Sequence, residues 1–163
     1  MVIDVGGGST EISVFENGQK RASRSFELGT IRMLRGKVSK KIWSDIAAWI
    51  ETEVDAKIPH RLFGTGGNIN KIFKISGKPM GKPLYLSYIK DQLELLSNLS
   101  YEERIMQLDL NPDRADVIIP ATKIYLSIME WSGANKIFVP KIGLADGLIH
   151  ILYEKIKGEK RKK

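Results

Sequence analysis

The chain opens on a short apolar stretch. Val2, Ile3 and Val5 surround a single acid, Asp4, and Gly6-Gly7-Gly8 follows. Ile12 and Val14 then alternate with polar residues up to Phe15, the period of a half-buried strand. Asn17-Gly18 comes next, and both residue types tolerate the positive φ that a two-residue hairpin turn demands. A third strand is predicted over residues 20–28. The opening therefore reads as a three-stranded antiparallel meander with the glycines in its first turn.

The period then changes. Ile42, Ile46, Trp49 and Ile50 recur at helical spacing, which predicts a helix over residues 40–54, with Pro59 closing the connection. Residues 61–63 form a short strand running into Gly64-Thr65-Gly66-Gly67-Asn68, and a helix carrying Ile69, Ile72 and Phe73 begins there. Glycines and prolines alternate through residues 77–83, which marks a loop. Helices are predicted over 87–96 and 101–108, then one long helix over 112–131. Asn111 stands at its cap and Pro112 at its first position, where a missing N–H costs nothing. Asp113 and Asp116 lie near the positive end of its dipole, Pro120 is a kink site, and Gly133 stops it. Residues 136–139 read as a strand, 143–147 as a turn and 148–157 as a last helix. A meander followed by helices alternating with single strands argues a mixed α/β sheet of five strands with helices packed on it.

Composition narrows the class. The 163 residues are 42% hydrophobic, enough to bury one core, and include no cysteine, so disulfides and thiolate metal sites are excluded. No apolar run approaches the ~20 residues that span a bilayer, and the first residues lack the pattern of a signal peptide. A cytoplasmic setting is expected. The net charge of +7 is concentrated at the end: residues 155–163 hold six bases and one acid, and 158–163 form a basic tail. The tail reads either as a solvated terminus or as an attraction for a polyanion such as nucleic acid or polyphosphate.

Three segments can carry chemistry. In Asp4-Val5-Gly6-Gly7-Gly8-Ser9-Thr10-Glu11, glycines let the backbone approach an anion, and Ser9 and Thr10 add hydroxyls. Asp4 and Glu11 bracket the loop and can hold Mg²⁺ or orient water. The loop joins strand to strand, so it is neither a P-loop nor a dinucleotide fingerprint. The plainer reading is a flexible hairpin turn, against which stands the need of an acid in an apolar strand for a partner. Gly64 to Asn68 joins a strand to a helix N-terminus, a position that attracts anions and equally an ordinary connection. Arg114, in Asn111-Pro112-Asp113-Arg114-Ala115-Asp116, is an anion ligand or the partner of an Asp in a capped helix. His60 and His150 show no metal-ligand spacing and read as surface or packing residues. Trp43, Trp49 and Trp131 lie in apolar helix stripes and read as core.

Asp4 to Glu11 resembles the second phosphate motif of the Ppx/GppA phosphatases, within the actin/Hsp70/sugar-kinase superfamily. Gly64 to Asn68 resembles that family's later glycine motif, Arg114-Ala115-Asp116 its Arg-Ala-Asp signature, and Gly143 to Gly147 its closing segment. Ala145 and Asp146 stand where relatives often carry Arg and Glu. The resemblance covers residues 1–157 and implies a ribonuclease H-like (actin-like ATPase) mixed sheet flanked by helices. It implies that this is the second domain of a two-domain module, with the first domain, its phosphate loop and a water-activating glutamate absent from the chain. It further implies an exopolyphosphatase or guanosine pentaphosphate phosphohydrolase activity with Mg²⁺ in the complete protein, which can form a homodimer. Gly6, Gly7, Gly8, Ser9 and Thr10 would bind phosphate, Asp4 and Glu11 would serve catalysis and hold the metal, and Gly64, Thr65, Gly66, Gly67, Asn68 and Arg114 would line the nucleotide side of the cleft. Two rivals are a phosphate- or nucleotide-sensing domain of the same fold and a nucleic-acid-binding module using the basic tail.

Overall fold

The computed structural model describes residues 1–55, 57–58 and 60–140. β1 (Val2–Val5), β2 (Thr10–Glu16) and β3 (Gln19–Phe26) form the meander. α1 (Thr30–Leu34) and α2 (Lys40–Glu53) lead to β4 (Leu62–Thr65) and α3 (Gly67–Ile75). β5 (Leu84–Tyr85), α4 (Leu86–Asn98), α5 (Tyr101–Leu108), α6 (Pro112–Ala115), α7 (Ile118–Trp131) and β6 (Lys136–Phe138) complete the order. The sheet runs β3-β2-β1-β4-β6-β5. β1 is antiparallel to β2 but parallel to β4, and β4 is parallel to β6.

The hairpin turn is as its residues demand: Asn17 and Gly18 both take positive φ, 50° and 78°. The sheet has six described strands rather than five. The additional strand, β5, is two residues long and pairs antiparallel with β6, and so short a pairing leaves no periodicity to read. α1 is likewise an element that the apolar spacing of the sequence did not announce.

The long helix expected over 112–131 is two helices. α6 ends at Ala115, and α7 restarts at Ile118. Pro120 explains the break. In an unbroken helix it would face the carbonyl of Asp116 with no N–H to offer. After the restart it falls in the first turn, where no intrahelical N–H is required, so it begins a helix instead of kinking one. Asn111 takes the extended cap conformation without a side-chain cap bond; its carbonyl accepts from Arg114 and Ala115. Gly133, at φ 69°, ends α7 as expected.

One face of the sheet carries Ile3, Ile12, Leu62 and Ile137, all fully buried. α7 lies over it and is apolar nearly all round, with Ile118, Ala121, Ile124, Tyr125, Ile128 and Met129 buried. Trp43 meets Trp131 edge-on at 5.9 Å and Trp49 meets Phe26 at 5.7 Å, so the tryptophans serve packing. The opposite face presents Asp4, Glu11, Ser13 and Thr65, half-buried or exposed. Alternation along β1 thus sends Ile3 and Val5 into the core and Asp4 out of it. No described helix is long and apolar enough to cross a membrane. The turn expected at 143–147, with Ala145 and Asp146, the helix at 148–157, His150, Pro59 and the basic tail lie outside the described residues.

Candidate active site

Because β1 and β4 are parallel neighbours, the loops after them leave the sheet at the same end. This is where open α/β sheets bind ligands, beyond the carboxyl ends of adjacent strands at a change in topology. Both glycine motifs are therefore brought together.

The 6–9 loop is held from one side by its carbonyls. Gly6 O accepts from Thr30 N at 3.0 Å, Gly7 O from Ile31 N at 2.9 Å and Arg32 N at 3.3 Å, and Gly8 O from Arg32 Nε at 2.8 Å. Gly6 N closes the turn onto Ser9 O at 2.9 Å. None of the described residues accepts from the N–H groups of Gly7, Gly8 or Ser9. A run of backbone donors without acceptors, backed by carbonyls that are all tied down, has the geometry to hold an anion.

Gly29 makes this attachment possible. A Cβ there would overlap the carbonyl group of Gly7 and the carbonyl carbon of Gly8. Sequence reasoning overlooked Gly29 and α1. The available signal was Leu28-Gly29 at a strand end, followed by Ile31 and Leu34 three apart.

Thr10 departs from its expected role. It is fully buried and its Oγ1 donates to Leu28 O at 2.6 Å, so its hydroxyl proton is used inside the fold. Ser9 is the hydroxyl left at the loop.

Asp4 and Glu11 are directly opposed across the β1–β2 ladder and share a face. Asp4 is also in register with Thr65 of β4. Gly66, at φ 107°, passes so close that a Cβ would lie 3.1 Å from Asp4 Oδ1, 3.5 Å from Val5 O and 3.8 Å from the Tyr125 hydroxyl. Tyr125, a second residue the sequence did not single out, is fully buried and donates to Thr65 O. Burial, then the charge of Asp4, pushes its phenol well above the ordinary range, so it stays a donor. Among the described residues no group of three or more His, Asp or Glu side chains converges.

The second glycine motif divides. Gly64 points into the core, where a Cβ would meet Ile137, Ile69 and Tyr125; it is a packing residue and not a cleft residue. Gly67 lies under Arg114, whose guanidinium occupies the space a Cβ would need. Arg114 Nη1 approaches Asn68 Oδ1 at 3.4 Å, and Arg114 Nε lies 4.0 Å from Asp113. A cleft of about 360 Å³ opens beside Gly67 and Arg114, with Lys71 and Lys74 on its wall. A second, of about 420 Å³, opens beside Gly7 and Gly8 under Arg32, Arg35 and Lys37. His60 stands before β4, at the far end of the sheet from the two loops, with Nδ1 3.1 Å from Ile58 O.

The family model described as the Ppx/GppA phosphatase family matches residues 1–156. The chain belongs to this family. Its fold is similar to that of an Aquifex aeolicus Ppx/GppA phosphatase, with a TM-score of 0.77 at 22% identity, over 91% of this chain and 55% of that one. A second Aquifex aeolicus Ppx/GppA structure gives 0.73 at 24% identity, over 94% and 56%. An exopolyphosphatase from Cytophaga hutchinsonii gives 0.71 at 17% identity, over 94% and 56%. The chain spans about half the length of these structures. No curated protein matches it. The mixed sheet is that of the Ppx/GppA, actin-like fold.

Proposed function

We propose that this chain supplies one wall of a phosphoanhydride-hydrolysing site, the other wall belonging to a first domain. The observation that carries this is the 6–9 loop, whose carbonyls are held by α1 while the N–H groups of Gly7, Gly8 and Ser9 are left to an anion. Family membership and a span of about half the solved relatives favour the two-walled arrangement. The substrate is the terminal phosphate of polyphosphate or the 5′-phosphate of guanosine pentaphosphate.

Two adjacent carboxylates suit Mg²⁺, which takes one or two from protein and the rest from water and substrate phosphates. Asp4 and Glu11, side by side on β1 and β2, would hold it. When bound it offsets charge on the phosphate oxygens. The loop N–H groups hold the phosphoryl oxygens and stabilise the charge that develops on them as water attacks in line. Tyr125 fixes the turn that packs against Asp4 by holding Thr65 O. Gly66, Gly67 and Arg114 form the second side of the cleft.

The test is release of phosphate from polyphosphate and guanosine pentaphosphate by the full-length protein, with and without Mg²⁺. Metal-dependent release that falls about a hundredfold in Asp4→Asn supports the reading. Release indifferent to Asp4 and to the metal overturns it.

A further inference from the structure

We propose that Arg32, Arg35 and Lys37 form a shelf for the second and following phosphates of a linear polyanion whose first phosphate lies on the 6–9 loop. The proposal rests on the reading of that loop as a phosphate site and adds the direction in which the substrate leaves it.

The cleft of about 420 Å³ is lined by Gly7, Gly8, Ile31, Arg32, Arg35 and Lys37, so the loop and the three cations share one wall. Local structure puts them there. Arg32 is anchored to the loop through Nε on Gly8 O. Gly36 takes φ 64°, and Lys37 N donates back to Arg32 O at 2.9 Å, which folds Lys37 beside Arg32. Arg32 is partly neutralised by Glu27 at 3.4 Å. Arg35 and Lys37 are exposed and have no acidic partner among the described residues. Two solvated cations beside a phosphate loop raise the local concentration of a polyanion there.

The other cleft is a weaker candidate for the same role. Lys71 and Lys74 lie 3.7 and 3.8 Å from Asp109 Oδ2, and Lys71 also donates to Asp109 O. One carboxylate thus offsets part of the charge of both. The shelf also lacks an aromatic surface, since Ile31 is its one apolar side chain, so it offers a nucleobase nothing to stack on. A repeating, flexible phosphate chain is what such a wall recognises.

The experiment is calorimetric titration of the chain, without Mg²⁺, with orthophosphate, tripolyphosphate and a long linear polyphosphate, at two salt concentrations. Wild type should bind more tightly as the anion lengthens. Arg35→Gln/Lys37→Gln should leave orthophosphate binding unchanged, weaken the long chain by about thirtyfold and flatten its salt dependence. Arg35→Lys should retain most of the affinity. Lys71→Gln/Lys74→Gln, and a tail variant with Arg161→Gln, Lys162→Gln and Lys163→Gln, should stay within about twofold of wild type. If wild type binds neither orthophosphate nor the longer anions, the reading of the loop fails and the shelf with it. If orthophosphate binds but long-chain affinity is unmoved in the shelf variant, or is lost in the tail variant instead, the shelf alone is overturned.

Discussion

Gly66 passes close by Asp4: a Cβ on Gly66 would lie 3.1 Å from Asp4 Oδ1, tight enough that the carboxylate would have to shift. That one approach joins the two glycine motifs, which are sixty residues apart in sequence, into a single site. Gly66 also sits at φ 107°, where a side chain is strained by about 1–3 kcal/mol. Gly66→Ala should therefore lower stability by that order and displace Asp4. Denaturant melts give the first effect and loss of Mg²⁺-dependent turnover in the full-length protein the second. A variant as stable and as active as wild type would separate the two motifs.

The loop's attachment to α1 gives a paired prediction. Gly29→Ala drives a methyl into the backbone of Gly7 and Gly8, which cannot move aside as a side chain would. It should cost about 1–3 kcal/mol and abolish phosphate binding. At Gly8 a Cβ would meet nothing within 4 Å. Gly8→Ala should fold with stability within about 0.5 kcal/mol of wild type and still bind phosphate less well, because its methyl projects into the open space beside the loop. Equal losses of stability in the two variants would contradict this account of the loop.

Tyr125 makes a pH prediction. Its folded pKa is raised above the ordinary 10.0 by burial and by Asp4. In the unfolded chain the phenol loses its proton near that ordinary value, while the folded chain keeps it. Stability is thus fully present below pH 10 and falls above it, by about 1.4 kcal/mol per pH unit for this group. Tyr125→Phe loses the bond to Thr65 O and should be about 1 kcal/mol less stable at pH 7. The gap should close and then reverse as pH rises past 10, because the variant has no proton to lose there. Stability curves of the two proteins that stay parallel from pH 8 to 11.5 would show that the phenol is not held in its neutral form.

The sequence made the meander and the Asn17-Gly18 turn legible, because each rests on local chemistry: alternation and positive φ. It did not show α1, whose five residues offer a single apolar pair, Ile31 and Leu34, too short a run to read as a helix, and whose role is to hold carbonyls across a gap of more than twenty residues. Pro120 was misread for a related reason. A proline marks a helix break or a helix start equally well, and only the restart at Ile118 tells which. Their place in a motif puts Thr10 at the phosphate and Gly64 in the cleft. Alternation along β2 and β4 instead turns Thr10 toward Leu28 and Gly64 toward Tyr125, on the buried side. Tyr125 sits in an apolar helix stripe, where nothing distinguishes a tyrosine that fills space from one that holds a turn beside an acid.

The half-site arrangement makes the most demanding prediction: this chain alone should fold, bind phosphate weakly and hydrolyse polyphosphate negligibly. Folding follows from the closed core around α7. Weak binding follows from the loop. Hydrogen bonds to a charged group contribute roughly 1.5–3 kcal/mol each, but a phosphate held on one side stays largely hydrated on the other, and that residual hydration offsets much of the gain. Turnover needs more than a bound phosphate. Water must be placed opposite the leaving oxygen, within about 3–3.5 Å of phosphorus, and a base must take its proton. Asp4 and Glu11 lie on adjacent strands of a single wall, so they can hold a metal at the phosphate but leave its far side open. Phosphate release should therefore be measured with this chain, then with the first domain added in trans or fused, on polyphosphate and guanosine pentaphosphate with Mg²⁺. Release at the complete protein's rate by the isolated chain would mean that one wall holds the whole machinery, and the roles given to Asp4, Glu11 and the 6–9 loop would have to be reassigned.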